Sequence, residues 1–384
     1  MVKKTKIIAL IFFVSAFLVY YFSSEGLTVF NHFALLADAF LKGHLYVNLH
    51  APWLEQVPID SSHFYVPYPP MPAILLIPFR LIFKNNFAQD HLGYILAALT
   101  VALTISVSQT IKKDIKLAIW IGLLSAFGTI TWFLASVGSS WYLSQICAAF
   151  FLTATLLEVL TKKRYFLVGI LFGATYLSRI EVALAFPIIL FLAYNKKDWL
   201  KNFIKVAIGT LPFILFNFYY NFARFGVIWD KAYELIPGVS KESWFNKGVE
   251  SLSYIPEHLK IIFTALPSFK NKFPFFFPGY GGLAIWFTTP AFVYSLSANI
   301  KERVVRFSWI SILLIALIIF SHGSTGFAQF GYRFAVDFYP ILLFLVIQGV
   351  AKTGVKWHHW VLLAASIIVN LWGVILINKL GLTS

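Results

Sequence analysis

Cysteine is nearly absent from this chain. Its single thiol, Cys147, lies inside an apolar run, so no disulfide can form within the chain and its loops are held by packing. Charge is scarce as well. Only 12% of the 384 residues are Asp, Glu, Lys or Arg, about half the share of a soluble domain, which excludes the soluble enzyme classes. Acids are the rarer sign, 16 against 31 Lys and Arg. The basic surplus does not point to nucleic acid, because it is dispersed in short clusters between apolar runs. Examples are Lys3, Lys4 and Lys6; Lys112, Lys113 and Lys116; Lys162, Lys163 and Arg164; and Lys301, Arg303 and Arg306. No Walker A loop occurs, since the Gly281-Gly282 pair is not followed by Lys and Ser or Thr, and this argues against an ATP-driven pump. No internal repeat, low-complexity tract or series of alternating strands of about 10 residues is present, so a β-barrel is excluded.

What the chain has in abundance is apolar sequence, 59% of its residues. Several runs approach or exceed the roughly 20 residues that cross a bilayer. The pattern predicts an all-α polytopic membrane protein with about 11 transmembrane helices, near residues 7–23, 91–111, 117–137, 141–160, 165–178, 182–194, 203–221, 282–298, 305–320, 336–350 and 359–378. Residues 1–384 form one integral-membrane domain. Residues 1–23 have the basic start and apolar core of a signal peptide, but that core is long and an uncleaved first helix is expected. Placing the basic clusters in the cytoplasm puts the N-terminus inside, in a plasma or inner membrane, and the C-terminus outside. Two long loops, 24–90 and 222–281, then lie outside. The first is rich in Phe, Tyr, Leu and Trp, so it is expected to fold rather than remain disordered. Its residues 29–42 read as an amphipathic helix on the membrane surface. Its residues 71–83, apolar but short and interrupted by proline, read as a re-entrant or interfacial segment.

On this topology ionisable residues gather at the outer face. They are Asp38 on the amphipathic helix, Arg179 and Glu181 at a hairpin tip, Arg224 and Asp230 after the seventh helix, and Arg333 with Asp337 at the start of the tenth. Charges at membrane depth mark pathways or sites. Three arginines at one interface suit a phosphate, which a guanidinium binds in two-pronged fashion. The plain structural readings are a local Arg179–Glu181 pair and an Arg333–Asp337 pair at i, i+4 spacing. Asp38 sits among Leu36, Ala37, Ala39 and Phe40, where an unpaired acid is costly. His63 and Tyr68 of the first loop join the expected substrate contacts. The loop histidines His32, His44, His50 and His63 lack HxxH or HExxH spacing, so no metal site is expected.

Five stretches in order resemble the GT-C class of integral-membrane glycosyltransferases, which includes protein O-mannosyltransferases and aminoarabinose transferases. They are NHFALLADAFLKGHLYV with YVPYPPMPAILLIPF, GATYLSRIEVALAFP, YNFARFGVIWDKAY, TTPAFVYSL, and GFAQFGYRFAVDFYPILLFL, spanning about residues 25–345. The resemblance implies transfer of a sugar from a polyprenyl-phosphate donor to an acceptor outside the cytoplasm, a glycolipid, glycan or protein. A carboxylate of the first outer loop would be the general base, and arginines would hold the donor phosphate. No further cofactor is implied. Many members carry an acid directly after the first helix, where this chain reads Gly26-Leu27-Thr28-Val29-Phe30-Asn31. Asp38 is therefore the expected base, with Glu25 and Asp60 behind it. A noncatalytic scaffold and a carrier or flippase for polyprenyl-linked glycans are the alternatives.

Overall fold

The computed structural model describes residues 2–51 and 53–381; the side chain of Lys3 lies outside the described residues. The chain is an all-helical multi-pass membrane protein. Its helices are α1 (Val2–Ser23), α2 (His32–Leu41), α3 (Met71–Phe83), α4 (Gln89–Ile111), α5 (Ile115–Phe127), α6 (Thr131–Val137), α7 (Ser140–Leu160) and α8 (Tyr165–Ser178). There follow α9 (Phe186–Ala193), α10 (Trp199–Phe225), α11 (Ile255–Thr264), α12 (Ile285–Thr288), α13 (Arg303–Ile319), α14 (Tyr339–Thr353) and α15 (Trp357–Val374). Two small antiparallel hairpins, β1 (Val57–Pro58) with β2 (Phe64–Tyr65) and β3 (Ser268–Phe269) with β4 (Phe276–Phe277), lie in the two long loops.

Among the described residues six helical stretches are long and apolar enough to cross a membrane, and seven if α5 and α6, bent by 47°, form one broken span. This is fewer than the apolar runs alone predict, and the differences have local causes. The run 117–137 breaks at Gly128, the C-cap of α5. The run 282–298 holds only the four-residue α12 and a 3-10 stretch, Pro290–Ser297. Pro290 forces Thr289 out of helical geometry, to φ −138° and ψ 73°. The run 165–178 forms α8 in full, but its 14 residues extend only about 21 Å, short of the roughly 30 Å hydrocarbon layer.

Two prolines shape the polar end of the bundle. Pro187 and Pro340 stand in the first turns of α9 and α14, where their missing N–H groups cost nothing. The turn before each is a 3-10 helix, Ile180–Ala185 and Arg333–Phe338. These two turns carry Glu181, Arg333 and Asp337, while Arg179 caps α8. Gly282, at φ +82°, lets its chain lie against Gly331, where a Cβ would come within 2.6 Å of the Gly331 carbonyl carbon. Leu283 then exchanges backbone hydrogen bonds with Phe330 and Tyr332 at 3.1 and 3.0 Å. The glycine pair thus anchors the turn that presents Arg333.

The α8–α10 contact is the tightest between two helices here. A Cβ on Gly169 would lie 2.1 Å from the Val206 carbonyl oxygen, and one on Gly209 would lie 2.3 Å from that of Phe166. The Thr210 hydroxyl crosses the contact to the Gly169 carbonyl at 3.0 Å. In lipid, such small-residue packing replaces the hydrophobic drive that holds soluble helices together. Gly209→Leu is expected to push the helices apart, to cost about 1–3 kcal/mol, and to lower the melting temperature in detergent. Thr210→Val is expected to shift it far less.

The first loop is folded, as expected from its composition. The α2 helix buries Phe33, Leu36 and Ala37 in the main core, and Val47 pairs with Phe64 through two backbone hydrogen bonds of 2.8 and 2.9 Å. The second loop docks on it through a satellite core of Val57, Ala232, Ile236, Val239 and Phe245.

Candidate functional site

The start of α2 is bolted to the starts of α4 and α7. The Phe30 carbonyl accepts from the Ser140 N–H at 3.0 Å, the Ser140 hydroxyl at 2.7 Å and the Gln89 amide at 2.9 Å. His32 bridges the Ser140 hydroxyl and the Glu55 carbonyl, each at 3.1 Å. Burial lowers the His32 pKa to about 4, so the ring is neutral, its Nε2–H donates to Glu55, and its Nδ1 competes with the Phe30 carbonyl for the one Ser140 hydroxyl proton. This fixes the Glu55 backbone beside the N-terminus of α7.

The Glu55 side chain meets that same helix. Its Oε2 accepts from the Tyr68 hydroxyl in a very short contact and from the Trp141 indole N–H at 3.2 Å. Among the described residues no protein group donates to Oε1. Burial raises the Glu55 pKa, against which the Tyr68 and Trp141 hydrogen bonds and the nearby Arg333 charge pull it down, while Glu242 of the second loop pushes it up. Tyr233 of the second loop lies in the same field, its pKa raised by burial and by Glu55.

Two arginines meet at this end in different states. Arg179 is committed: its Nη2 donates to Asp337 Oδ2 at 2.7 Å and contacts Glu181 in a second, shorter ion pair, and its Nε is sealed without a partner. Asp337 is fully buried, and its other oxygen lies 3.5 Å from the Gln145 amide. Arg333 has no carboxylate within ion-pair distance among the described residues. Among the described residues its guanidinium makes one polar contact, a long 3.5 Å approach to Gln145 Oε1, and it lies over the rings of Phe334 at 4.4 Å and Tyr142 at 5.9 Å. The residue is 8% exposed, and among the described residues its Nε and Nη2 make no hydrogen bond. His322 is near both cations: burial first, then Arg333 and Arg179, lowers its pKa to about 3.

The structure therefore brings Arg179, Glu181, Asp337, Arg333 and Tyr68 to one end, with Glu55 added. The Arg333–Asp337 pair expected from i, i+4 spacing does not form. A 3-10 turn repeats every three residues, so residues four apart no longer face each other, and Asp337 pairs with Arg179 instead.

Three other expected residues stand apart. Asp38 is held by Arg80 of α3, whose Nε donates to Oδ1 at 2.7 Å while Nη2 contacts Oδ2 and also the Asn85 side chain at 2.7 Å. The acid among apolar neighbours is paired, and it locks α3 to α2. Arg224 is buried with its donors spent on the Tyr220 carbonyl at 3.1 Å, the Val66 carbonyl at 2.8 Å and the Asn221 side chain at 3.0 Å. Its plane stacks 3.6 Å over Tyr220, so it holds the strand leading to Tyr68 rather than a free anion. His63 sits on an exposed turn with Asp60, Nδ1 to Oδ2 at 2.7 Å, and hydrogen bonds from Ser62 and His63 keep the Asp60 carboxyl below its usual range.

Glu55, Trp141, Tyr142 and Gln145 were not singled out by sequence reasoning. Glu55 carried a signal, an acid between Leu54 and Val57, both of which are buried. Gln145 carried a weaker one, a buried amide inside an apolar run. Compared with protein-family models, curated proteins and solved structures, the chain matches none.

Proposed function

We propose that this protein is a GT-C-like membrane glycosyltransferase that moves a sugar from a polyprenyl-phosphate donor to an acceptor hydroxyl outside the cytoplasm. The observation that carries this reading is the pairing of a carboxylate with one oxygen that accepts no hydrogen bond, Glu55, and a buried guanidinium without a carboxylate partner, Arg333, both among the described residues. Glu55 takes the acceptor proton as general base. Arg333 meets the charge that grows on the departing phosphate, where a fixed cation in a water-poor site is most effective. Trp141 and Tyr68 hold the base in place. Glu55 takes the role for which Asp38 was first expected, and it supplies the acid missing after the first helix.

The site faces outward in this reading because the lysine clusters lie at the opposite end. There Lys112 reaches the Ala351 carbonyl at 2.7 Å and the Trp120 indole reaches the His359 carbonyl at 2.9 Å. Eleven passes follow if the broken α5–α6 span, the short segments 165–178, 180–193 and 285–297, and helix α13 cross beside the six long spans, with the thinner protein at α8 and α9 leaving a sunken entry for lipid-linked substrate.

The test is a transfer assay on purified, lipid-reconstituted protein with a panel of polyprenyl-phosphate sugars. Wild type is expected to consume one donor. Arg333→Ala is expected to lower turnover by about 10²–10³-fold without lowering the melting temperature, and Arg333→Lys to recover part of it. Donor bound but never turned over by wild type would instead favour a noncatalytic scaffold or a glycan carrier.

A further inference from the structure

The second long loop carries a surface that the catalytic reading does not use. Helix α11 turns His258 and Ile262 inward and leaves Leu259 and Phe263 exposed. The hairpin that follows pairs Ser268 with Phe277 and Phe269 with Phe276. It buries little: Phe269, Phe273 and Phe276 are 63%, 70% and 52% exposed. Lysines are interleaved with these rings. Lys270 and Lys272 are on the connection between the strands, Lys270 Nζ lying 4.4 Å over the Phe277 ring, and Lys260 is on α11. No Asp or Glu occurs between Glu257 and Glu302. From Lys260 onward every charge on this exposed aromatic surface is positive, Glu257 standing one turn earlier on α11, and such a surface matches one solvent, the headgroup layer of an anionic bilayer. Aromatic rings settle at that depth, and lysines are drawn to it by its negative potential.

The position of the hairpin agrees. Ala284 donates to the Ala265 carbonyl at 2.8 Å, and Phe263 stacks on Trp286 of α12 with centroids 6.4 Å apart. Helix α12 is tied to the membrane-crossing α15, since Asn370 donates to the Thr288 carbonyl at 2.7 Å. Helix α12 thus ties the aromatic face to α15, which itself leaves Ile368 and Leu371 exposed. We infer that residues 255–280 form an interfacial anchor, with the hairpin Ser268–Phe277 seated among the headgroups of anionic phospholipids. The anchor is independent of the glycosyl-transfer reading. It also fixes the second loop, whose other end brings Tyr233 and Glu242 into the field of Glu55.

The experiment places an environment-sensitive fluorophore on Phe273→Cys in the full chain. The native Cys147 is buried beside Ser178 at 3.1 Å and is shielded from the label. The protein is reconstituted in phosphatidylcholine vesicles with and without phosphatidylglycerol. Two lysines favour the seated hairpin by about 30-fold on an anionic surface. The expected result is blue-shifted emission, quenching by headgroup-level spin-labelled lipid and protection from iodide, all stronger with phosphatidylglycerol. Lys270→Gln with Lys272→Gln should return the probe to its phosphatidylcholine behaviour. The same probe at Phe269→Cys supplies the readings if the first variant does not fold. A water-like probe open to iodide in both lipids, equal burial in both, or burial that grows with protein-to-lipid ratio through self-association would each overturn the anchor.

Discussion

Glu55→Gln is expected to lower sugar transfer by about 10³-fold while the protein melts at or above the wild-type temperature. The amide retains the shape of the carboxyl and an oxygen that can accept from Tyr68 and Trp141, but it cannot take a proton. Stability points the other way from activity. Burial raises the Glu55 pKa in the fold, so the fold favours the protonated acid. Its contribution to stability is complete below the ordinary carboxylate range and is lost as pH rises through the raised value. A neutral side chain removes that loss. Catalysis needs the ionised form, so the acid limb of the wild-type pH–rate profile should lie above the ordinary Glu range and fade as pH falls through it. Asp38→Asn is the contrasting variant: it breaks a paired charge at the α2–α3 contact and should reduce thermal stability more than turnover. If Asp38→Asn abolishes transfer in a folded protein and Glu55→Gln does not, the base is Asp38 and the assignment of Glu55 fails.

The membrane class was legible because lipid leaves the backbone few choices. A spanning segment must satisfy its own hydrogen bonds, and a long apolar run with basic flanks states this directly. The runs 91–111, 141–160 and 359–378 accordingly appear as α4, α7 and α15 within a few residues. The run 282–298 was equally apolar but does not form one long helix, because apolarity does not record that Pro290 fixes the residue before it and that Gly282 brings two stretches of backbone together. Charge partners were the least legible part. The sequence offers Arg179 its neighbour Glu181 and offers Arg333 its neighbour Asp337, and local spacing favours both pairs. The structure keeps the first and replaces the second, because Asp337 meets an arginine 158 residues away. Asp38 was read as the general base, its apolar neighbours saying only that an acid there needs a partner or a function. That partner, Arg80, lies in a segment separated from it by a hairpin. Glu55 was hidden for the converse reason. An acid in a loop looks solvated until Tyr68, from beyond the hairpin, and Trp141, from another helix, are seen to close on it.

That exchange of partners has the largest expected effect on stability. Arg179→Ala should cost about 3–5 kcal/mol, because it leaves Asp337 charged and fully buried with only a distant amide from Gln145. Asp337→Ala should cost a similar amount by leaving Arg179 to Glu181 alone. The double variant Arg179→Ala/Asp337→Ala should fall well short of the sum, with a coupling of about 1–3 kcal/mol in a double-mutant cycle of unfolding in detergent. Arg333→Ala, four residues from the same carboxylate, should show little coupling to Asp337. The opposite pattern, strong coupling of Arg333 to Asp337 and a mild Arg179→Ala, would mean that 333–338 is an ordinary α-turn with the local pair intact. Arg333 would then be neutralised and unable to receive a phosphate, so this measurement of stability bears directly on the catalytic assignment. If the coupling lies between Arg179 and Asp337, the fold has used one arginine to neutralise the buried acid and left the other, a short distance away, with its charge unspent.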